Sequence, residues 1–216
     1  MKRGLLSVGI FAVLFLISCA PAQKEPVSNV KVEQPSKETA SVKTTPQTLS
    51  DVDELLSKYK TKVQSIYYKY RGPETGNSLY EFYVKDNRIK YIPAREIQSL
   101  DQEDSYDTIF IDKIGSTAQS YCLAAYCRYQ GQKANLNFDK YYILTPFDWL
   151  SGITQAKKVG EEVIDDRSTW KIETNKGILW VDIFYGIPLK AEYGDKTYRY
   201  QQISTNSIKD SDLVPQ

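Results

Sequence analysis

The chain has 216 residues, 41% of them hydrophobic and 25% charged, which are the averages of an ordinary globular protein with one sizeable core. Its 28 basic and 27 acidic residues leave a net charge of +1, so electrostatics gives no reason for a nucleic-acid partner. Histidine is absent, which excludes Ser/His/Asp triads, Cys/His dyads and His-ligated zinc, and the surplus residue is tyrosine, all 17 of which fall between Tyr59 and Tyr200.

Lys2 and Arg3 precede an apolar run over residues 5–17. A positive n-region with a run this short reads as an export signal over residues 1–18, because a helix needs ~20 apolar residues to span hydrocarbon. The run ends in Leu16-Ile17-Ser18-Cys19, which resembles the lipobox of bacterial-type lipoproteins. A thiolate is nucleophilic enough to take diacylglycerol as a stable thioether, and the small Ser18 leaves the following bond open to a peptidase. The resemblance implies lipidation at Cys19 and an extracytoplasmic protein held to a membrane by its acyl chains, at the outer face of a cell membrane or facing a periplasm. Loss of Lys2 and Arg3 with the leader would tip the balance to one excess acid, so attachment would rest on the lipid and not on a polybasic patch.

Residues 19–49 read as a disordered tether. From Ala20 to Thr48 there is no aromatic residue and no glycine, and Pro21, Pro26, Pro35 and Pro46 lie among Lys, Glu, Ser, Thr and Gln. Such a coil reaches on the order of 30 Å or more. A folded domain is expected over 50–216. Ser50-Asp51 caps a predicted helix in which Val52, Leu55, Leu56, Tyr59, Val63 and Ile66 recur at helical spacing. The period then changes to two, with Tyr80, Phe82 and Val84 on one strand face. Turn signals at 71–73, 85–87, 165–166, 174–177, 185–186 and 193–195 separate further strands. Thr145-Pro146 predicts a short helical interruption carrying Phe147, Trp149, Leu150 and Ile153. These elements predict an α+β fold: one antiparallel sheet with a few helices on it.

With Cys19 assigned to lipid, Cys122 and Cys127 remain, and on the exported side of a membrane they are expected to form a local disulfide pinning a turn. Neither C-x-x-C spacing nor a histidine supports a redox or metal role, and no cofactor or metal is implied. The carboxylate pairs Glu161/Glu162 and Asp165/Asp166 are neighbours beside a turn, which fits a solvated loop better than a glycosidase site, so no catalytic residue is assigned and the chain is expected not to be an enzyme.

The C-terminal third carries Trp180 and Asp182, then Gly186-Ile187-Pro188-Leu189, then Asn206 and a run to Pro215. This resembles the LolA-like superfamily of lipoprotein carriers and related anchored lipoproteins, with Trp180, Asp182, Gly186, Pro188, Leu189 and Asn206 matching its pattern and Ile187 standing where the family often has Leu. The resemblance implies a curved, incomplete antiparallel barrel with helices on its concave face and a cavity for acyl chains. It has two departures: the carrier is soluble whereas this chain is expected to be anchored, and the 122–127 segment has no counterpart. Under this reading Leu56, Phe82, Phe147, Trp149, Leu150, Trp180 and Phe184 are candidates to line the cavity, against the alternative that these aromatics, like Trp170, are core. The partners it implies are a membrane and a lipid or acylated ligand; the competing reading is a non-catalytic envelope lipoprotein that binds another envelope protein as an adhesion or scaffold module.

Overall fold

From Ser65 onward, most of the chain alternates buried and exposed side chains with period two, and backbone of that kind satisfies its polar groups only by pairing with neighbouring strands. The computed structural model describes residues 49–94, 97–98, 105–125, 127 and 130–215, all within one compact unit, Thr45–Gln216. The export segment, Cys19 and the tether as far as residue 48 lie outside the described residues.

Two short helices open the unit, α1 (Leu49–Ser57) and α2 (Tyr59–Lys62). The strands are β1 (Ser65–Arg71), β2 (Tyr80–Lys85), β3 (Arg88–Ile92), the two-residue β4 (Ile97–Gln98) and β5 (Ser105–Tyr106), β6 (Thr108–Asp112), β7 (Thr117–Tyr121) and β8 (Lys133–Leu136). Helices α3 (Phe138–Tyr141) and α4 (Pro146–Leu150) follow, then β9 (Ala156–Ile164), β10 (Arg167–Thr174), β11 (Gly177–Asp182), β12 (Pro188–Tyr193), β13 (Lys196–Thr205) and a closing 3₁₀ turn, Asp210–Leu213.

Among the described residues, eleven strands form one antiparallel sheet in the order β8-β7-β6-β3-β2-β1-β13-β12-β11-β10-β9. The fold class is therefore as expected: a curved, unclosed antiparallel sheet with a few short helices. Register shifts put an extra residue on β13 against β1, on β9 against β10 and on β12 against β11, and bulges of this kind bend and twist a sheet. Strands β1 and β13 pair at the centre, and β8 and β9 occupy opposite edges. The link between these edge strands must therefore cross the whole sheet, and this crossover carries α3 and α4.

One face, here called inner, holds the main core. Val52 and Leu55 of α1 and Trp149 of α4 pack with Ile66, Tyr68, Tyr70, Phe82, Tyr91, Leu179, Val181 and Tyr200 of the sheet. Burying such side chains contributes ~25 cal/mol per Å² of apolar surface. The outer face has a smaller cluster of Ile164, Trp180 and Leu189.

The helix predicted over 52–66 is shorter than its apolar spacing implies. Ser50 and Asp51 fall inside the first turn of α1, not at its cap, and the helical backbone stops at Lys62. Ile66, Tyr68 and Tyr70 also repeat with period two, and sheet pairing on both sides of β1 decides in favour of strand. Asn206 fixes the change of direction: its side chain accepts from Gln64 N at 2.7 Å and donates to Lys62 O at 2.8 Å. The short helix after Thr145 forms as predicted. Asp148 accepts from the Thr145 backbone N–H and from its hydroxyl, both at 2.7 Å, closing the first turn behind Pro146.

Candidate functional site

Alternation along β1 sends Tyr68 and Tyr70 to the inner face and Tyr67 and Lys69 to the outer one. With Phe82, Tyr91 and Tyr200 from neighbouring strands, these rings form a fully buried aromatic floor. Tyr68 stacks on Phe82 at 5.1 Å between centroids, Phe82 on Tyr91 at 4.9 Å, and Tyr68 meets Tyr200 edge-on at 5.3 Å.

The crossover lies over this floor and is tied to it through tyrosine hydroxyls. Tyr91 donates to Tyr141 O at 3.1 Å, and Tyr200 donates to Leu144 O at 3.0 Å while accepting from the Trp149 indole N–H at 2.7 Å. Tyr106 and Tyr141 share a hydrogen bond at 2.8 Å between their hydroxyls. Asp148 gathers the rest: besides Thr145 it accepts from Tyr142 at 2.7 Å and pairs with Lys113 of the β6–β7 turn at 2.6 Å. Burial opposes ionisation of Asp148, but the bonds from Lys113, Thr145 and Tyr142 outweigh it and hold the carboxyl below the usual carboxylate range.

Tyr68 is the exception in this network. Its ring is completely buried, yet among the described residues its hydroxyl meets no hydrogen-bond partner. Burial pushes its pKa well above the ordinary value of about 10, and the neighbouring Tyr200, Asp148 and Tyr70 add to the rise. Burial likewise raises Tyr200, against the lowering effect of the Trp149 hydrogen bond, and raises Tyr91 and Tyr70. An unpaired buried hydroxyl costs a fold about 1–3 kcal/mol.

The expected lining residues divide. Phe82 and Trp149 are buried in the inner core and Leu150 is buried outside both clusters, while Leu56 and Phe147 are half-buried at the margin of the inner core, where Phe147 lies 5.7 Å from Tyr59. Trp180 and Phe184 lie elsewhere. Trp180 alternates with the inward Leu179 and Val181 and therefore faces outward, where it donates to Glu162 at 2.6 Å beneath the ammonium of Lys190. Phe184 sits in the β11–β12 loop and is 60% exposed. A cavity of about 550 Å³ opens between α2, the β2–β3 turn and α4, with Tyr59, Val63, Val84 and Phe147 in its wall.

The family-motif residues shape the end of the sheet. Asp182 is buried, not exposed as a strand-end residue would be. It accepts from the N–H groups of Phe184 and Tyr185 at 3.0 and 2.7 Å and approaches Arg167 at 3.6 Å. Gly186 adopts φ +70° with its Cα against the Leu55 carbonyl, where a Cβ would collide. Pro188 pairs with Val181 in the ladder, Leu189 joins the outer cluster, and Asn206 pins α2 to β1.

Cys122 and Cys127 form the expected disulfide. The loop it closes is also held by buried Asp107, which accepts from Leu123 N at 3.2 Å and Ala124 N at 2.8 Å, a role the sequence did not reveal. Glu161 and Glu162 stand on edge strand β9 and not in a loop; Asp165 and Asp166 form the β9–β10 turn with positive φ. Among the described residues, no group of three or more His, Cys, Asp or Glu is placed to hold a metal, and no helix is long and apolar enough to cross a membrane.

No family model matches the chain. No curated protein matches it either. Solved structures do resemble it. The lipoprotein LppX of Mycobacterium tuberculosis is 14% identical, with 74% of this chain and 96% of that one covered and a TM-score of 0.44. An uncharacterized conserved protein from Thermus thermophilus is 10% identical over 77% and 93%, with a TM-score of 0.43. The Pseudomonas aeruginosa MucA/MucB complex is 16% identical with a TM-score of 0.41; the match covers 76% of this chain and only 59% of that one.

Proposed function

We propose that this chain is a lipid-anchored, extracytoplasmic protein that binds an acyl chain or an acylated ligand on the inner face of its sheet, without chemical change. The observation that carries the reading is the Tyr68 hydroxyl: a completely buried donor without a partner among the described residues, set in an aromatic floor beneath the crossover. The crossover meets the floor through a few tyrosine hydrogen bonds, each contributing about 0.5–1.5 kcal/mol, and through side-chain packing, not through shared sheet backbone. Lifting it would expose stacked rings to an alkyl tail, and flat aromatic faces bury flexible hydrocarbon without demanding one geometry. An ester or amide carbonyl at the head of that tail would accept from Tyr68. The lipobox-like ending at Cys19 supports the anchor.

Native mass spectrometry of the full mature chain, extracted from membranes in mild detergent, tests the ligand. A mass increment that fragments to an acylated molecule and falls in Tyr68→Phe is expected. A chain that remains ligand-free when offered acylated lipids would remove this reading and leave the envelope-scaffold alternative. For the anchor, Cys19→Ser is expected to abolish metabolic labelling by palmitate; labelling that persists would place the lipid elsewhere.

A further inference from the structure

Strand register brings one set of connections to a single end of the sheet. Ser65 pairs with Lys85, Ile66 with Thr205, Arg88 with Asp112 and Val181 with Pro188. The β2–β3, β6–β7 and β11–β12 turns therefore project together beside the end of α2. This end displays large apolar side chains to solvent: Ile183 and Phe184 in one turn, and Ile114, 79% exposed, in another.

The β11–β12 tip is held rigid. Asp182 accepts from the N–H groups of Phe184 and Tyr185, Lys58 donates to Ile183 O at 3.3 Å, and Lys62 donates to Phe184 O at 2.9 Å. The Lys62 ammonium also rests over the Phe184 ring, 4.1 Å from its centroid. Among the described residues, neither Lys58 nor Lys62 forms an ion pair with a carboxylate. Bonds of this number spent on holding an aromatic ring out in water indicate that the ring has a surface to meet.

We infer that this end of the sheet docks on a lipid bilayer containing anionic headgroups, with Phe184 and Ile183 entering the headgroup–acyl boundary and Lys58 and Lys62 facing lipid phosphates. Aromatic rings flanked by lysines match the bilayer interface, apolar below and negative above. A loop entering between headgroups needs no matched surface of the roughly 800 Å² per partner that a stable protein interface requires. The acids at this end, Asp86 on the β2–β3 turn, Asp112 at the end of β6, Asp165 and Asp166 beside Arg167, and Asp210, which pairs with Lys85 and Arg88, lie on other segments than the β11–β12 tip. The 29 residues between Cys19 and Leu49 span up to roughly 100 Å extended, so an anchor at Cys19 leaves either end of the sheet free to meet the membrane and surface chemistry selects this one. The inference rests on the envelope reading of the chain and adds to it an orientation, with the cavity beside Tyr59 and Phe147 facing the bilayer.

The test uses the full mature chain in vesicles of phosphatidylcholine with a minority of phosphatidylglycerol, some lipids carrying a nitroxide on the acyl chain. A fluorophore is attached at Asn87→Cys, in a turn at the docking end, or at Asp195→Cys, in the turn at the opposite end. Quenching at position 87 is expected to exceed that at 195 severalfold, and to fall to the 195 level when Phe184→Asp is added. Equal quenching at both positions, stronger quenching at 195, or no effect of Phe184→Asp would overturn the proposal. Native mass spectrometry of the same variants reads ligand occupancy separately: lost docking with retained lipid would leave the ligand reading intact, and the reverse would leave docking intact.

Discussion

Tyr68 and Tyr200 are neighbours on the inner face, equally buried and 5.3 Å apart, yet removing the two hydroxyls should change stability in opposite directions. The Tyr68 hydroxyl lost its water on folding and gained no bond, so Tyr68→Phe should stabilise the delipidated chain by about 1–3 kcal/mol, the cost of one unsatisfied buried polar group. For a chain of this size each kcal/mol moves Tm by about 2–4 °C, giving a rise between about 2 and 12 °C. Tyr200 accepts from Trp149 and donates to Leu144 O, so Tyr200→Phe leaves an indole N–H and a carbonyl unpaired and should cost at least about 1–3 kcal/mol. With acylated ligand present, Tyr68→Phe should lose its advantage, so by the folding–binding cycle it should bind more weakly by the same about 1–3 kcal/mol, or roughly 5- to 160-fold. Denaturant unfolding monitored by tryptophan fluorescence, with and without ligand, measures all of these. If Tyr68→Phe destabilises the delipidated chain as much as Tyr200→Phe does, the hydroxyl is already bonded in the folded protein and the proposed acceptor site does not exist.

The buried tyrosines also fix an alkaline limit. Burial raises the pKa of Tyr68, Tyr70, Tyr91 and Tyr200 above the ordinary 10, so the unfolded chain loses protons first; stability is fully present below pH 10 and falls as pH rises toward the folded values, by about 1.4 kcal/mol per pH unit for each such residue. Tyrosinate absorbance should therefore rise for the exposed rings first and for these four only together with loss of tertiary circular dichroism; separate earlier ionisation of the four would contradict their placement. Asn206→Ala removes the bonds to Lys62 and Gln64 and puts a side chain without that local partner at φ +58°, so a loss of about 2–3 kcal/mol is expected in urea unfolding, with Asn206→Gly losing less. Reducing the Cys122–Cys127 bond opens a loop of only a few residues and should cost about 2 kcal/mol, with increased amide exchange confined to the segment around Asp107; exchange spreading to β1 or β13 would show that the bond supports the whole sheet.

Composition and local pattern were enough to determine much of this protein. Turn residues set the hairpins, Thr145-Pro146 set α4, and the neighbouring Cys122 and Cys127 set a disulfide. Those features depend on neighbours in sequence, and the chain states them directly. The end of the first helix was less legible because Ile66 satisfies both a helical and a strand period, and only pairing with β2 and β13 separates them. Trp180 and Phe184 looked like lining residues because hydrophobicity carries no direction; the register of β11 turned one to the outer face, and Asp182, Lys58 and Lys62 held the other in solvent.

What only the tertiary structure decided is the long-range pairing: that β8 and β9 lie at opposite edges, so that residues 137–155 must cross the inner face, and that Lys113 meets Asp148 there. It also decided which of two adjacent tyrosine hydroxyls finds a partner. Tyr68 and Tyr200 are chemically identical in the sequence, and their difference arises because hydrogen bonding depends on the position of groups brought in from distant parts of the chain, here Trp149 and the Leu144 carbonyl, which reach one hydroxyl and miss the other.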